Sequence, residues 1–191
     1  MYLSIIAQEN KISRAIRIRL IYAKNAAYSI PIINKLSDAG VANVSWLTTP
    51  RSYGLIAQGM RAATTFSSLN GGPISFDVSS IVNSYSRVGG QFNLIGYSQG
   101  SAEAALGAIQ LAHSGNFVDN LTLIASPMLQ SGPVYEQLMC TENIGNVKFI
   151  NIPNDALGLN GTNPMQHFNY TTNSQGQQDA LVKEIVGSGV K

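Results

Sequence analysis

The stretch "QFNLIGYSQGSAEAAL", residues 91–106, decides the fold. Residues 91–95 are uncharged and mostly apolar, as in a buried strand, and small residues that suit a helix follow the serine. Between the two lies Gly96-Tyr97-Ser98-Gln99-Gly100, so we predict a sharp strand-to-helix turn with Ser98 at its corner. Glycine on either side leaves room for a tight turn, which puts the serine in a strained backbone conformation.

Outward from this stretch, short apolar runs alternate with helical patterns. We predict strands at 15–25, 41–50, 91–97, 121–127 and 146–152, and helices at 29–40, 54–66, 76–88, 99–113 and 174–187. Residues 131–142 are predicted as a loop or a helix. Such alternation predicts an α/β fold, a three-layer α/β/α arrangement around a mainly parallel sheet of about five strands. Ligands of such sheets bind at the carboxyl ends of the strands.

The composition is that of one globular domain. The chain has 191 residues, of which 45% are hydrophobic and only 12% charged, which argues against disorder. Within this single domain, residues 1–14 are predicted to be a peripheral N-terminal extension. The net charge of +2 is too small to predict a nucleic-acid partner. Basic residues gather within the first 24 positions, where we expect a solvated surface or, alternatively, contact with anionic lipid headgroups.

The single cysteine, Cys140, excludes an intrachain disulfide and is predicted to be a core or subsurface thiol. The opening "MYLSIIAQENK" has too short an apolar run for a signal peptide, and no apolar stretch approaches the roughly 20 residues of a membrane span. We therefore expect a soluble protein, or a soluble domain of a larger one. It would be cytoplasmic or exported by a route without a signal peptide, and the oligomeric state stays open.

A serine hydroxyl becomes a good nucleophile only when a base takes its proton. The chain has two histidines. His113 lies about fifteen residues along the helix after Ser98, which at 1.5 Å per residue is roughly 20 Å away. His167 lies in the loop between the last strand and the last helix, on the carboxyl edge of the sheet. We predict His167 as the base, with a purely structural histidine as the alternative.

The carboxylate that orients the base is expected between the serine and the histidine in sequence. Asp155 directly follows the fifth strand and so lies at the carboxyl edge, whereas Asp119 lies at the amino edge. Glu103 is on the helix after the turn, and Glu136 and Glu142 lie in a polar segment. We predict Asp155 as the orienting acid; the alternative is an Asx-turn in "PND" at 153–155.

Two hydrogen-bond donors are needed to stabilise an oxyanion. The Gln99 backbone N–H is predicted as the first. The second is expected in the loop after the first strand, at Asn25, with the loop "TTPRSYG" at 48–54 as its competitor. The sequence has no carboxylate or histidine cluster with metal-ligand spacing and no glycine-rich nucleotide-binding motif, so we predict neither a metal nor a nucleotide cofactor.

With these residues in place, the chain resembles the α/β-hydrolase superfamily, and within it the small, lidless, cutinase-like serine esterases. "GYSQG" at 96–100 is similar to the turn common among cutinases, and the tail "HFNYTTNSQGQQDALVKEI" at 167–185 resembles their histidine, loop and closing helix. Only twelve residues separate Asp155 from His167, which leaves no room for the extra strand of larger relatives. The resemblance implies that Ser98 is the nucleophile, His167 the base and Asp155 the residue that orients it.

The chain departs from that family in two respects. Cutinases are secreted and disulfide-bonded, with one bridge bracketing the catalytic loop, whereas this chain has one cysteine. Their Gly-Ser-type oxyanion element is absent from "YAKNAAYS" at 22–29. The layout also resembles lipase-type domains at the ends of large bacterial toxins and effectors, which are exported without a cleavable signal.

The sequence thus predicts a serine hydrolase of lipid or other carboxylic esters that works through an acyl-enzyme. Substrate contacts are predicted from apolar residues near the site, which are otherwise core residues: Tyr97, Met128, Leu129, Leu157, Leu159, Met165 and Phe168. Transient contact with a membrane surface is expected. Two alternatives stay open: an acyltransferase that uses the same residues, and a non-catalytic binding module with a hydrolase fold.

Overall fold

The computed structural model of the protein describes residues 17–22, 26–41, 44–48, 55–70, 72–73, 76–83, 85, 90–163, 165–167 and 175–190. The predicted extension at 1–14 lies outside this part of the chain. The strands are β1 (Arg17–Tyr22), β2 (Val44–Thr48), β3 (Phe92–Tyr97), β4 (Val118–Ile124) and β5 (Ile144–Ile150). The helices are α1 (Ala26–Asp38), α2 (Leu55–Leu69), α3 (Phe76–Asn83), α4 (Gln99–His113), α5 (Pro133–Met139) and α6 (Gln175–Gly187).

The strands form a parallel sheet in the order β2-β1-β3-β4-β5, with β3 in the middle. Its register aligns the strand ends, because Tyr22 pairs with Tyr97, Tyr97 with Ile124 and Ile124 with Ile150. The chain runs outward from β1 to β2 and then returns to β3 on the other side of β1. This reversal is the kind of switch point at which α/β sheets bind ligands. The predicted α/β class and parallel sheet are confirmed.

Helices cover both faces of the sheet because successive strand residues point to opposite sides. Leu94 packs into a core shared with α2, α3, α4 and α5, whereas Ile95 packs into a second core shared with α1 and α6. Helix α4 is buried along most of its length, and its alanines and glycines let it lie close to the strands. Helix α4 therefore contacts the sheet and three other helices, α2, α3 and α5.

A row of asparagines crosses the sheet near its amino edge. Asn93, Asn120 and Asn146 are aligned on three adjacent strands. The Asn120 Nδ2 group donates to Asn93 Oδ1 at 2.6 Å, and Asn146 Nδ2 donates to the Ser188 carbonyl at 2.6 Å. Ser188 follows α6, so the row also satisfies the end of the last helix, where backbone carbonyls lack intrahelical partners.

Three sequence-based predictions are corrected. The fourth and fifth strands begin and end earlier than predicted, and β4 stops at Ile124 because Ala125 has a φ of 49° that no strand can accommodate. The third helix ends at Asn83 rather than at residue 88. Cys140 is exposed rather than buried, because it caps α5 beyond that helix's buried residues, Val134 and Leu138. Within the segment 131–142, which was predicted as either a loop or a helix, residues 133–139 are helical.

Candidate active site

Ser98 lies at the corner between β3 and α4, at the carboxyl edge of the central strand. Its backbone has φ 56° and ψ −130°, a combination that a residue with a side chain rarely adopts. A side chain at Gly96 would bring its Cβ to 2.4 Å from the Ser101 Cα and 2.5 Å from the Gly100 carbonyl oxygen. Glycine at position 96 is therefore required for the helix to start this close to the strand, as the sequence predicted.

Hydrogen bonds on both sides hold the strained turn. The Ser98 backbone N–H donates to the Ile124 carbonyl at 2.9 Å, which continues the sheet ladder one residue past β3. The Ser98 carbonyl accepts the Ser101 backbone N–H at 2.9 Å and the Ser101 hydroxyl at 2.6 Å. The Ser98 side chain makes no capping hydrogen bond to α4 and is partly exposed. Its hydroxyl is thus not used to stabilise the helix.

Asp155 and His167 form a buried pair in the segment after β5. The His167 Nδ1 atom lies 2.7 Å from Asp155 Oδ2, and the two residues are 2% and 0% exposed. A carboxylate only accepts hydrogen bonds, so Nδ1 carries the proton of this contact and Nε2 is the nitrogen that can act as a base. The orienting contact predicted for these two residues is therefore present in the structure.

The loop holds the Asp155 carboxylate through both of its oxygens. While Oδ2 contacts His167, Oδ1 accepts the Leu157 backbone N–H at 2.9 Å, so Asp155 also forms the Asx-turn that the sequence offered as the alternative. A Cβ at Gly158 would lie 2.6 Å from Oδ2 and 3.1 Å from the Ala125 Cα. Glycine at this position lets the loop close over the carboxylate.

Asparagines connect the Asp155 turn to the segment that carries His167. The Asn154 carbonyl accepts the Asn163 N–H at 3.1 Å, and Asn154 Oδ1 accepts the Thr162 N–H at 3.1 Å. Asn163 Oδ1 in turn accepts the Met165 N–H at 2.9 Å. These contacts were not predicted, although four asparagines within residues 151–163 are a sequence signal for side-chain-stabilised turns.

Tyr97 joins the histidine to the serine corner. Its hydroxyl donates to the His167 carbonyl oxygen, and the two rings lie with their centroids 5.2 Å apart. Because Tyr97 directly precedes Ser98, this contact brings the His167 segment to the residue next to the serine. Tyr97 itself is buried, and the sequence did not predict this contact of its hydroxyl.

The histidine and carboxylates considered as alternatives lie elsewhere. His113 is exposed at the far end of α4, and Asp119 accepts the Phe92 backbone N–H at 2.7 Å near the amino edge. Glu136 is exposed on α5, and Glu142 is exposed in the turn before β5. The Gln99 N–H is in the first turn of α4, where backbone donors lack intrahelical partners. Asn25 and the rival loop from residue 49 onward lie outside the described residues.

The predicted substrate contacts fall into two groups. Tyr97 and Met128 are buried in the two cores, where they contribute to packing, and contact of either with a substrate stays a prediction. The others that the structure describes are 44–62% exposed on the loops after β4 and β5: Leu129, Leu157, Leu159 and Met165. These four side chains are exposed, so the alternative that they are only core residues is wrong for them. Phe168 lies outside the described residues.

Within the described part of the chain, no group of three or more His, Cys, Asp or Glu side chains is placed to hold a metal ion. The same residues include no helix that is long and apolar enough to cross a membrane.

Comparison with known proteins shows the fold alone. The chain is similar to a crystal structure of an uncharacterized protein from Bacillus cereus ATCC 10987, with a TM-score of 0.50 and 13% sequence identity. The match covers 98% of this chain and 63% of the other, so this chain spans less than two thirds of its structural neighbour. No family model and no curated protein matches the sequence. The class of protein that the described sheet and this structural similarity support is an α/β protein with a parallel sheet.

Proposed function

We propose that this protein is a serine hydrolase of carboxylic esters, with the small, lidless, cutinase-like form of the α/β-hydrolase fold. One observation carries the proposal: Ser98 lies on a strained corner at the same sheet edge as the buried Asp155–His167 pair. Strained backbone held by its surroundings is typical of sites where a reactive group must be presented. The residues would act as nucleophile, orienting acid and base.

In the proposed reaction, Ser98 Oγ attacks the ester carbonyl carbon while His167 Nε2 takes the hydroxyl proton. The carbonyl oxygen becomes an oxyanion, which the Gln99 N–H and the positive end of α4 stabilise. His167 then gives its proton to the departing alcohol, leaving an acyl-enzyme. Water, deprotonated by the same histidine, then attacks the acyl carbon. The bond to Ser98 Oγ breaks, Oγ takes the proton back from His167, and the acid is released. Asp155 keeps His167 in the required tautomer and stabilises its charged form.

The exposed apolar residues favour esters with an apolar acyl chain. Leu129 follows β4, whereas Leu157, Leu159 and Met165 belong to the loop that carries Asp155 and leads to His167. Exposed apolar side chains gathered at one edge of a protein are typical of surfaces that contact apolar ligands. Lipid or other carboxylic esters are therefore the proposed substrates, and this rim would also make the transient membrane contact expected from the sequence.

The decisive experiment is labelling with a fluorophosphonate probe, which reacts with activated serines. The wild-type protein is expected to be labelled and to hydrolyse an activated ester, and Ser98→Ala to abolish both. Ser114→Ala is the matched control, since Ser114 is exposed at the opposite end of α4. Equal labelling of Ser98→Ala, or no labelling of the folded wild type, would overturn the proposal and favour a binding module.

A further inference from the structure

Glu103 is a carboxylate buried inside the protein that the proposed reaction does not use. It lies on α4, four residues after Gln99, and is 0% exposed. Removing a carboxylate from water is unfavourable by several kcal/mol unless other groups compensate for the lost hydration. A glutamate at this depth therefore requires compensating contacts, and hydrogen bonds from Gln99 and Thr65 contribute to them.

Three side chains from two helices, Glu103, Gln99 and Thr65, are joined by mutual hydrogen bonds, two of which end on one oxygen of this carboxylate. Gln99 Nε2 donates to Glu103 Oε1 at 3.0 Å and to Thr65 Oγ1 at 2.9 Å. Thr65 Oγ1 donates to the same Glu103 oxygen at 3.3 Å. The amide has two hydrogens and the hydroxyl has one, so all three bonds can be made at once. Thr65 is 3% exposed on α2, so the cluster lies between α2 and α4.

The residue at the centre of this cluster is the one whose backbone the reaction needs. Gln99 directly follows Ser98, and its N–H is the proposed oxyanion donor. It is also the first residue of α4, where a helix is least constrained by its own hydrogen bonds. Binding both hydrogens of its side-chain amide fixes the residue against α2, and with it the direction of its backbone N–H.

We propose that Glu103 is a positioning residue that acts through Gln99 to hold the oxyanion donor in place, with Thr65 as its second support. This inference rests on the proposed function. The side-chain amide of Gln99 donates to both Glu103 and Thr65, so these two bonds fix the first turn of α4 against α2. Because misplacing a catalytic group by about 1 Å can lower a rate 10²-fold, a contact of this kind can limit turnover.

The first test is a double-mutant cycle with Glu103→Ala, Gln99→Ala and the double variant, assayed on a p-nitrophenyl ester. Each single variant is expected to lower kcat roughly tenfold, less than the 10²–10³ for deleting a donor outright, with KM changed less than about twofold. The double variant should be no slower than the slower single variant, because Glu103 acts through Gln99. Additive losses would show that Glu103 only ties two helices together and would overturn the inference.

Two conservative variants cover the case in which Glu103→Ala fails to fold. Glu103→Gln keeps an oxygen that can accept both bonds and should retain most of the wild-type kcat. Thr65→Val removes only the hydroxyl and should lower kcat about threefold. Glu184→Gln, an exposed glutamate on α6, is the control and should match wild type. A Thr65→Val variant with wild-type kcat and KM would overturn the inference.

A measurement without substrate separates this inference from the proposed function. In ¹⁵N–¹H spectra, Thr65→Val is expected to shift the Gln99 backbone amide signal and to speed its hydrogen exchange, whereas Glu184→Gln leaves both unchanged. An unaltered Gln99 amide in Thr65→Val overturns the positioning role even if Ser98 is labelled normally. A wild-type protein that is neither labelled nor active overturns the proposed function instead.

Discussion

The two edges of the sheet differ in which residues adopt a positive φ. Among the described residues, those with a positive φ in the turns around the amino edge are glycines: Gly40, Gly90, Gly115 and Gly189. At the carboxyl edge one glycine, Gly161, has a φ of 159°. At the carboxyl edge, four residues that carry side chains have φ between 49° and 58°: Ser98, Ala125, Asn154 and Leu159. Glycine adopts this conformation at little cost, whereas a residue with a Cβ is destabilised by about 1–3 kcal/mol. The turns at the amino edge are thus relaxed, and those at the carboxyl edge are strained.

Both edges also bury polar side chains, but of different kinds. At the amino edge the buried Asn93 and Asn120, with the exposed Asn146 beside them, are neutral and lie within regular strands. At the carboxyl edge the buried pair is ionisable, a carboxylate and an imidazole, and lies in the segment after β5. A network of amides on strands can stabilise a fold but cannot transfer protons at neutral pH, whereas a histidine paired with a carboxylate can. The difference supports the proposal that the carboxyl edge carries the chemistry, while the amino edge contributes to stability.

The largest effect is expected from His167, and His113 near the other edge is its control. Removing the base should lower turnover of an activated ester by roughly 10⁶-fold in His167→Ala, because the serine hydroxyl then keeps its proton. His113→Ala, at the exposed end of α4, should leave turnover nearly intact. Steady-state kinetics of both variants provide the test. A damaging His113→Ala would reverse the assignment of the two edges.

A smaller loss is expected from Asp155→Asn, on the order of 10⁴-fold in turnover. Asparagine can still accept the Leu157 N–H through Oδ1, so the turn is preserved. The atom facing His167 Nδ1 becomes an amide nitrogen, which favours the wrong imidazole tautomer. Kinetics and melting temperature measured together separate the two roles of Asp155. Near-normal activity would mean that the turn is its only role.

The smallest effect on activity is expected at the amino edge. Asn120→Ala removes the donor to Asn93 Oδ1 and the acceptor for Asn146 Nδ2, and should lower the free energy of unfolding by about 1–3 kcal/mol. Turnover per folded molecule should stay within about twofold of wild type, because no strained residue is touched. Urea denaturation and kinetics at a permissive temperature measure the two quantities. Asn151→Ala, at an exposed asparagine after β5, is the control for stability.

Local patterns explain why the sequence predicted the serine corner and the histidine–carboxylate pair. Gly96 and Gly100 around Ser98 can be recognised without a structure, since a tight strand-to-helix turn needs residues without side chains. Asp155 and His167 could be assigned because parallel strands bring their carboxyl ends to one edge, so the position of each loop in the chain gives its place. These inferences need only the order of strands and helices.

The contacts of Tyr97 and Thr65 could not be predicted, because each joins residues that are distant in sequence. Tyr97 and His167 are 70 residues apart, and Thr65 and Gln99 are 34 apart. No local propensity gives the rotamer or the depth of such side chains; both depend on how the helices pack on the sheet. The burial of Glu103 on α4 was decided in the same way.

By itself, the sequence determined the α/β class, the parallel sheet and the identity of the residues that meet at its carboxyl edge. It could do so because hydrophobic periodicity and glycine placement act over a few residues. Only the tertiary structure decided how these residues are held: which oxygen of Asp155 faces His167, how Tyr97 anchors the histidine segment, and where strained backbone is tolerated. The physical reason is that strain and buried polar contacts are stable only when packing from several elements supports them together.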